Sequence, residues 1–206
     1  MGGMNDVDAP ALPGIALRRA WLVPDEASAL FENLLEAVPW EVHRIRMFGR
    51  EVASPRLSCW IGDPEASYRY SGTRFTPHPW PAALQQLRDQ LNSELDAEFN
   101  SVLANLYRDG NDAMGWHRDD EPELGAAPLI ASVSLGATRR FLLKDEAGSR
   151  RAIELAHGDL LLMSGDSQRR YRHALPRTAR PDGPRINLTF RCVQPALNAS
   201  VAGTNR

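Results

Sequence analysis

Two potential metal ligands lie two residues apart near the middle of the chain, in the stretch Trp116-His117-Arg118-Asp119. Residues two apart on a β-strand point to the same face. The imidazole of His117 and the carboxylate of Asp119 could therefore hold a divalent metal, and a second histidine would complete a facial triad with open positions. The alternative is a surface histidine beside an aspartate that forms a salt bridge.

Two later histidines are candidates for the third ligand. His173 ends the arginine-rich segment Arg169-Arg170-Tyr171-Arg172-His173. His157 is the competing candidate, and we rank it lower because it lies in the turn Ala156-His157-Gly158-Asp159. A third histidine, His78, stands between two prolines with no second ligand nearby, so we interpret it as structural.

The last predicted strand has two chemically different faces. Its polar face carries Arg185, Asn187, Thr189 and Arg191, and its apolar face carries Ile186, Leu188, Phe190 and Cys192. Two arginines on one face near a metal strand could clamp both ends of a small dicarboxylate, because the planar guanidinium binds carboxylate in a bidentate manner. The alternative is the exposed polar face of an edge strand.

Charge is unevenly distributed although the net charge is only −2. From Arg139 to Arg191 there are twelve basic and six acidic residues, so this part carries +6 and the rest carries −8. A second basic stretch from Arg44 to Arg74 has six arginines. Base composition of the genome is one explanation for the abundance of arginine; a local basic face that binds phosphates is the other.

Two segments of this basic stretch combine arginine with bulky apolar or aromatic residues. Met47-Phe48-Gly49 places two large apolar side chains at a turn beside Arg50, either packed into the core or forming a wedge that enters a base stack. Tyr68-Arg69-Tyr70 alternates aromatic and basic residues, a pattern that suits base stacking as well as ordinary sheet packing.

The size and composition fit a single domain in a reducing compartment. A chain of 206 residues with only two cysteines, Cys59 and Cys192, needs no disulfide framework. No apolar run reaches transmembrane length, and the N-terminus lacks the regions of a signal peptide. We therefore expect a cytoplasmic protein without a membrane partner.

Hydrophobic periodicity predicts a mainly β fold with flanking α-helices. Helices are predicted from Pro24 to Val38 and from Pro81 to Phe99, and a first short strand over Ile15–Val23. After Ser101 about eight short strands alternate with glycine-containing turns, which is typical of a double-stranded β-helix, or jelly roll. The predicted strands are Val102–Tyr107, Met114–His117, Leu129–Leu135, Arg139–Leu143, Ala152–Leu155, Asp159–Met163, Tyr171–Ala174 and Arg185–Cys192.

These elements suggest four regions. They are a flexible N-terminal tail over 1–14, N-terminal helices with a nucleotide-recognition lid over 15–100, a jelly-roll core over 101–195, and a C-terminal tail over 196–206.

Taken together, the motifs resemble the AlkB family of Fe(II)- and 2-oxoglutarate-dependent dioxygenases over residues 40–193, and its homologue two and homologue three branch in particular. The matching segments are Phe48-Gly49-Arg50, Pro55-Arg56, Tyr68-x-Tyr70-Ser71-Gly72, Asn105-Leu106-Tyr107-Arg108-Asp109-Gly110, His117-Arg118-Asp119-Asp120-Glu121, Ile130-Ala131-Ser132-Val133-Ser134-Leu135-Gly136, His173 and Asn187-Leu188-Thr189-Phe190-Arg191. The segments occur in the same order and at similar spacing as in the family.

The resemblance implies a role for each matching residue. Fe(II) would be held by His117, Asp119 and His173. Arg185 would bind the distal carboxylate of 2-oxoglutarate and Arg191 would face its metal-proximal end. The same pocket would be completed by Asn105, Tyr107 and Thr189, with support from Asn187.

The resemblance also implies a set of residues that contact the nucleic acid. Phe48, Gly49 and Arg50 match a finger that probes the duplex, with Met47 beside it. Tyr70 matches the aromatic residue that stacks on a flipped base, although the duplex branch has Phe there, and Tyr68 and Arg69 line the same lid. The acidic pair Asp120 and Glu121 would face the substrate.

The implied activity is oxidative repair of N1-methyladenine and N3-methylcytosine in DNA with Fe(II), 2-oxoglutarate and O2, releasing succinate, CO2 and formaldehyde. Both lesions are cationic, which favours a nearby carboxylate, and they pair poorly, which lowers the cost of flipping the base. We expect a monomer that acts on alkylated DNA, duplex or single-stranded, with RNA as an alternative substrate.

Three other functions remain open from the residues. One is a sister dioxygenase that acts on RNA, protein or a small molecule, and another is a non-catalytic nucleic-acid-binding module on the same fold. The third is a zinc hydrolase with the same ligands, but a hydrolase has no need of the arginine pair Arg185 and Arg191.

Overall fold

The structure is a computed structural model. It describes residues 12–42, 44–47, 50–66, 68–70, 73–179 and 183–194, and within 44–47, 50–53, 68–70 and 73–75 the description concerns the backbone.

Fourteen strands and three helices are assigned in these residues. The helices are α1 Pro24–Ala37, α2 Ala82–Leu95 and α3 Ser167–Arg170, and a 3-10 turn spans Pro122–Leu124. The strands are β1 Ile15–Arg18, β2 Arg44–Met47, β3 Arg50–Ala53, β4 Leu57–Gly62, β5 Tyr68–Tyr70, β6 Thr73–Phe75, β7 Ser101–Tyr107, β8 Met114–His117, β9 Ile130–Gly136, β10 Arg139–Asp145, β11 Arg150–Leu155, β12 Leu160–Met163, β13 Tyr171–Leu175 and β14 Arg185–Arg191.

The strands form two main antiparallel sheets and two hairpins. The major sheet has six strands in the order β1-β12-β9-β14-β7-β4, and the minor sheet has four in the order β11-β10-β13-β8. The separate pairs β2-β3 and β5-β6 are hairpins. The predicted jelly-roll core with flanking helices is therefore confirmed, and β1 and β4 add two N-terminal strands to the major sheet.

The alternation of side chains along β14 explains why helices cover one side of the major sheet. Ile186, Leu188 and Phe190 are fully buried and pack in one core with residues of α1 and α2, such as Leu34 and Leu84. Each helix buries one apolar face, and α1 begins with a proline at its first turn, where no amide donor is needed.

The opposite side of the major sheet faces the minor sheet. At one end this interior is apolar: Ile130 and Leu161 of the major sheet pack with Phe141, Leu143 and Tyr171 of the minor sheet. At the other end the polar residues of β14 face the potential metal ligands. The two sheets thus fix the spacing of the site.

Two predicted boundaries were wrong by more than two residues. Helix α2 ends at Leu95 and not at Phe99, because Asp96 adopts a left-handed conformation with φ 49°. Strand β1 ends at Arg18 and not at Val23, since the chain turns at Ala20 with φ 45°. The short helix α3 was not predicted.

Candidate metal and dicarboxylate site

Three candidate ligands converge between the two sheets. His117 at the end of β8 is the direct register partner of His173 on β13, and their ring centroids are 4.1 Å apart. Asp119 follows β8 by two residues, with Oδ1 at 3.8 Å from Nε2 of His117. One ligand atom from each of the three residues lies within 4.8 Å of the others. This set of two imidazoles and one carboxylate fits a facial metal triad with open positions.

Hydrogen bonds orient two of these ligands. Nδ1–H of His117 donates to the carbonyl of Gly115 at 2.8 Å, which leaves Nε2 free to bind a metal. The backbone N–H of Asp119 donates to Oε1 of Gln168 at 3.0 Å. Gln168 lies on α3 and is buried, so it fixes the chain at Asp119 from the side of the fold that carries His173.

The electrostatics favour the protonation states that a metal requires. Burial lowers the pKa of His173 to about 3, and burial also lowers the pKa of His117. Burial alone would raise the pKa of Asp119, but the Arg191 guanidinium nearby holds it well below its usual value. At neutral pH the site thus presents two neutral imidazoles and one carboxylate, which are ready to bind without releasing protons.

Arg191 joins the metal triad to the polar face of β14. Its NH2 group donates to Oδ2 of Asp119 at 2.6 Å, and both side chains are buried. The two oxygens of Asp119 are therefore divided: Oδ2 accepts from Arg191, and Oδ1 lies on the side of His117. This pair places a cation next to the open positions of the triad.

Arg185 provides a second cation deeper between the sheets. It is among the largest fully buried side chains, and its NH2 group donates to Oγ of Ser134 at 2.9 Å. Its Nε is buried and has no hydrogen-bond partner among the described residues. Burial lowers the pKa of Arg185 to about 10, so it is still charged at neutral pH. A buried charge with an unsatisfied donor is costly, and a carboxylate would satisfy it.

Other polar side chains line the same face. The guanidinium of Arg185 lies 5.4 Å from the ring centre of Tyr107. Nδ2 of Asn187 donates to Oγ of Ser132 at 2.8 Å, and Oγ1 of Thr189 donates to Oδ1 of Asn187 at 3.3 Å. Asn105 is paired with Asn187 across β7 and β14. The structure brings together all the residues that the sequence predicted for the dicarboxylate pocket.

Comparisons with known proteins agree with this site. The profile of the 2OG-Fe(II) oxygenase superfamily matches residues 14–191. "Alpha-ketoglutarate-dependent dioxygenase alkB homolog 3" of Bos taurus is 40% identical over 181 residues, which are 82% of this chain and 63% of that protein. "DNA oxidative demethylase ALKBH2" of Mus musculus is 40% identical over 182 residues, which are 82% of this chain and 76% of that protein. The chain belongs to the AlkB family.

A solved structure supports the fold of this AlkB-family chain. The protein described as "The structure of OsALKBH1" superposes with a TM-score of 0.62 and covers 89% of this chain and 98% of its own, at 17% identity. The chain spans about 63% of the length of the alkB homolog 3 proteins from Bos taurus, Homo sapiens and Mus musculus. The family uses Fe(II) and 2-oxoglutarate, and the triad and the two arginines described above fit both.

The other histidine considered for the metal lies elsewhere. Nδ1 of His157 accepts a hydrogen bond from the backbone of Gly136 at 2.8 Å, and its Nε2 lies 3.2 Å from Oγ of Ser28. His157 therefore connects α1 to the end of β9 and is not a ligand candidate. The backbone of His78 forms hydrogen bonds with Trp60 and Gly62, and the structural role of its side chain stays a prediction.

The residues predicted to contact nucleic acid are described to different extents. Asp120 is exposed and Glu121 is half-buried, directly after the metal-binding segment. Burial raises the pKa of Glu121, and the nearby Asp119 raises it further while Arg191 opposes this. The backbones of Met47, Arg50, Tyr68, Arg69 and Tyr70 lie in the two hairpins, whereas Phe48 and Gly49 lie outside the described residues.

Several residues support the site without having been assigned a role from the sequence. Gln168 holds Asp119, and Ser132 and Ser134 hold Asn187 and Arg185. Nε of Arg56 donates to Oδ1 of Asn105 at 2.6 Å. The serines were detectable, because they alternate with apolar residues along β9, whereas the contact of Gln168 joins residues 49 positions apart and leaves no local pattern.

Proposed function

We propose that the protein is a DNA repair dioxygenase that oxidatively demethylates N1-methyladenine and N3-methylcytosine with Fe(II), 2-oxoglutarate and O2, releasing succinate, CO2 and formaldehyde. The observation that carries this proposal is the pair of buried arginines opposite the His–Asp–His triad, since a metal that only hydrolyses needs no dicarboxylate site. The relatives named DNA oxidative demethylase support DNA as the substrate.

The metal and co-substrate roles follow from the chemistry of the donors. His117, Asp119 and His173 hold Fe(II), and bound Fe(II) with 2-oxoglutarate and O2 supplies the oxidant that hydroxylates the N-methyl carbon. Arg185 binds the distal carboxylate of 2-oxoglutarate, which satisfies its unpaired Nε. Arg191 faces the end of 2-oxoglutarate nearest the metal while it holds Oδ2 of Asp119.

The remaining polar residues shape the co-substrate pocket. Asn105, Tyr107 and Thr189 line it, and Asn187 keeps Thr189 in place through the hydrogen bond between them. Arg56 fixes Asn105 from the N-terminal side. Asn105, Asn187 and Thr189 are already held by hydrogen bonds to other side chains, so little ordering of these residues is required when 2-oxoglutarate binds.

We assign the recognition of a cationic base to the acidic pair Asp120 and Glu121. The raised pKa of Glu121 indicates that its negative charge is poorly solvated. A methylated adenine or cytosine carries a positive charge that compensates for this, whereas an unmodified base does not. Asp120 and Glu121 thereby favour the damaged base over the normal one.

The two hairpins are proposed to form the nucleotide-recognition lid within the N-terminal region over 15–100. Met47, Phe48, Gly49 and Arg50 would probe the duplex at the turn between β2 and β3. Tyr70 would stack on the flipped base, with Tyr68 and Arg69 beside it on β5. An apolar residue that fills the gap left by an extruded base reduces the cost of flipping.

A parallel assay of methylated duplex DNA, single-stranded DNA and RNA tests this assignment. Wild-type protein and the Phe48→Ala variant are compared for the rate of methyl loss on each substrate. We expect the variant to lose activity selectively on duplex DNA, because only a duplex leaves a gap in a base stack. An equal loss on all substrates would show that Phe48 has a packing role instead.

We also propose that the protein acts in the cytoplasm as a monomer. No helix among the described residues is long and apolar enough to cross a bilayer. Sedimentation of the purified protein at several concentrations tests the oligomeric state, and a mass that rises with concentration would contradict it.

A further inference from the structure

The outer face of the minor sheet, opposite the metal site, carries a row of positive charges. Lys144 on β10 is the register partner of both Arg150 on β11 and Arg172 on β13. Arg118 directly follows His117, which is the last residue of β8 and the register partner of His173, so antiparallel pairing places Arg118 on the side of Arg172. We call these four residues, Arg118, Lys144, Arg150 and Arg172, the cationic row.

For comparison, the next charged position along the same face of the sheet pairs residues of opposite charge. Arg140 on β10 is paired across the strands with Glu154 on β11, at 3.3 Å between Nε and Oε1. Opposite charges in facing positions stabilise a sheet, whereas like charges in facing positions destabilise it. The cationic row is therefore an arrangement that folding alone disfavours.

Little negative charge compensates the row. Among the described residues no acidic side chain forms an ion pair with Lys144, Arg150 or Arg172, and the only acidic partner of the row is Glu146, at 3.8 Å from Arg118. Arg150 and Arg172 are exposed. A negatively charged ligand would therefore reduce the repulsion between these cations.

An exposed tryptophan lies beside the row. Trp116 on β8 is 37% exposed, and the guanidinium of Arg150 lies 5.7 Å from its ring centre. Trp116 and His117 are neighbours on β8 and therefore point to opposite faces, so the outer face and the metal site share one strand. An exposed aromatic ring beside cations is the combination that binds single nucleic-acid strands.

The dimensions also suit a nucleic-acid backbone. The backbones at the two ends of the row lie about 14 Å apart, because strands in a sheet lie about 4.8 Å apart. The guanidinium of Arg150 reaches across the sheet to the ring of Trp116 on β8, so the cations form a compact patch that a phosphate backbone can contact. The row begins at the residue between two metal ligands, and β8 is the edge strand, so a strand passing the site can reach the row.

We propose that the cationic row binds the phosphate backbone of the substrate strand that flanks the target nucleotide, with Trp116 stacking on a sugar or base. This inference rests on the proposed function and specifies a second contact surface for the same substrate. The proposal also accounts for the facing like charges of the cationic row, since bound phosphates would neutralise charges that destabilise the sheet in the free protein.

The central test is the Lys144→Glu variant. This substitution places a carboxylate between Arg150 and Arg172, so it replaces two repulsions with two attractions. We expect a higher melting temperature together with weaker binding of a fluorescent, unmodified oligonucleotide, measured by anisotropy. Unchanged binding with a raised melting temperature would overturn the proposal, because the row would then affect only the sheet.

A neutral variant measures the number of phosphate contacts. In the triple variant Lys144→Gln, Arg150→Gln and Arg172→Gln, the slope of log affinity against log salt should decrease in magnitude by about 1 per lost contact. The loss of affinity should be greater for a long oligonucleotide than for a trinucleotide. The matched control is Arg140→Gln, on the same face but paired with Glu154, which should leave the slope unchanged.

The outcomes separate this inference from the proposed function. If the wild-type protein demethylates DNA but the triple variant binds with the same slope, only the row is refuted. If the variants weaken binding but the wild-type protein removes no methyl group from any oligonucleotide, only the catalytic proposal is refuted.

Discussion

At the scale of single residues, the site depends on the way Asp119 is held. Its Oδ2 accepts from Arg191, its Oδ1 lies toward His117, and its N–H donates to Gln168. The contact with Gln168 is the one that no family motif of the sequence indicated. A buried side chain that orients a metal ligand affects metal affinity nearly as directly as the ligand does.

Replacing Gln168 with methionine tests this contact. The Gln168→Met substitution preserves volume but removes the acceptor for the N–H of Asp119, so we expect Mn(II) to bind about 10- to 100-fold more weakly. Titration calorimetry or electron paramagnetic resonance measures the affinity on the folded protein. The control is Gln85→Met on the exposed side of α2, and equal Mn(II) affinity in both variants would contradict the role of Gln168.

The histidines predict how the stability of the metal-free protein depends on pH. Burial lowers the pKa of His173 from 6.5 to about 3, so between these values the unfolded chain binds a proton that the folded chain excludes. Stability is therefore complete above about 6.5 and decreases as the pH falls toward 3, by roughly 1 kcal/mol per pH unit for one such group.

Urea denaturation of the metal-free protein between pH 5 and about 6.5 measures this slope. His173→Gln should flatten it, because glutamine does not titrate. A variant that keeps the slope of the wild-type protein would show that other groups cause the pH dependence.

At the scale of elements, one face of β14 packs in the hydrophobic core and the other face lies toward the metal and dicarboxylate site. Phe190 is fully buried and lies between Trp80 and Phe99, with ring centres 6.4 and 6.2 Å away. Arg185, on the other face, is also fully buried but carries a charge with an unpaired donor. We therefore expect Phe190 to stabilise the fold and Arg185 to reduce the stability of the ligand-free protein.

Two substitutions on this strand should therefore have opposite effects. Phe190→Ala should lower the free energy of unfolding by about 3 to 5 kcal/mol because it leaves a cavity. Arg185→Met should leave stability unchanged or raise it, since it removes a buried charge, and it should abolish the rise in melting temperature caused by 2-oxoglutarate. A large loss of stability in Arg185→Met would contradict this division.

The sequence predicted these elements well where side chains alternate strictly. The observed β14 spans Arg185–Arg191 and β8 spans Met114–His117, within one residue of the predicted limits. The end of α2 was missed because Asp96 takes a left-handed conformation that the leucine spacing does not reveal. The alternation of side chains along strands therefore predicted element limits more accurately than the leucine spacing predicted the end of the helix.

At the scale of the whole molecule, the two sheets create the site by bringing distant segments together. Arg191 lies in the major sheet and Asp119 follows the last residue of β8 in the minor sheet by two positions, yet these residues, 72 apart in sequence, form a buried ion pair at 2.6 Å. The ligand set could be predicted because its residue types are rare and chemically specific. The supporting contacts of Gln168 and Arg56 could not, since each depends on how the sheets pack.

The outer and inner faces of the minor sheet extend this organisation. The inner face holds the metal ligands, and the outer face holds the cationic row, so one four-stranded sheet carries both the proposed catalytic centre and a proposed surface for the substrate backbone. The inner face looks onto Arg185 of the major sheet, and the outer face bears Lys144 and its neighbours. We propose that a ligand neutralises the charge on each side.

The most direct test of the central claim is the mass of an oligonucleotide that contains N1-methyladenine after incubation with the protein, Fe(II), 2-oxoglutarate and air. We predict the loss of one methyl group with formation of succinate and formaldehyde. The reaction should require both Fe(II) and 2-oxoglutarate and should be abolished by His173→Ala. An unchanged mass with folded, metal-loaded wild-type protein would contradict the assignment.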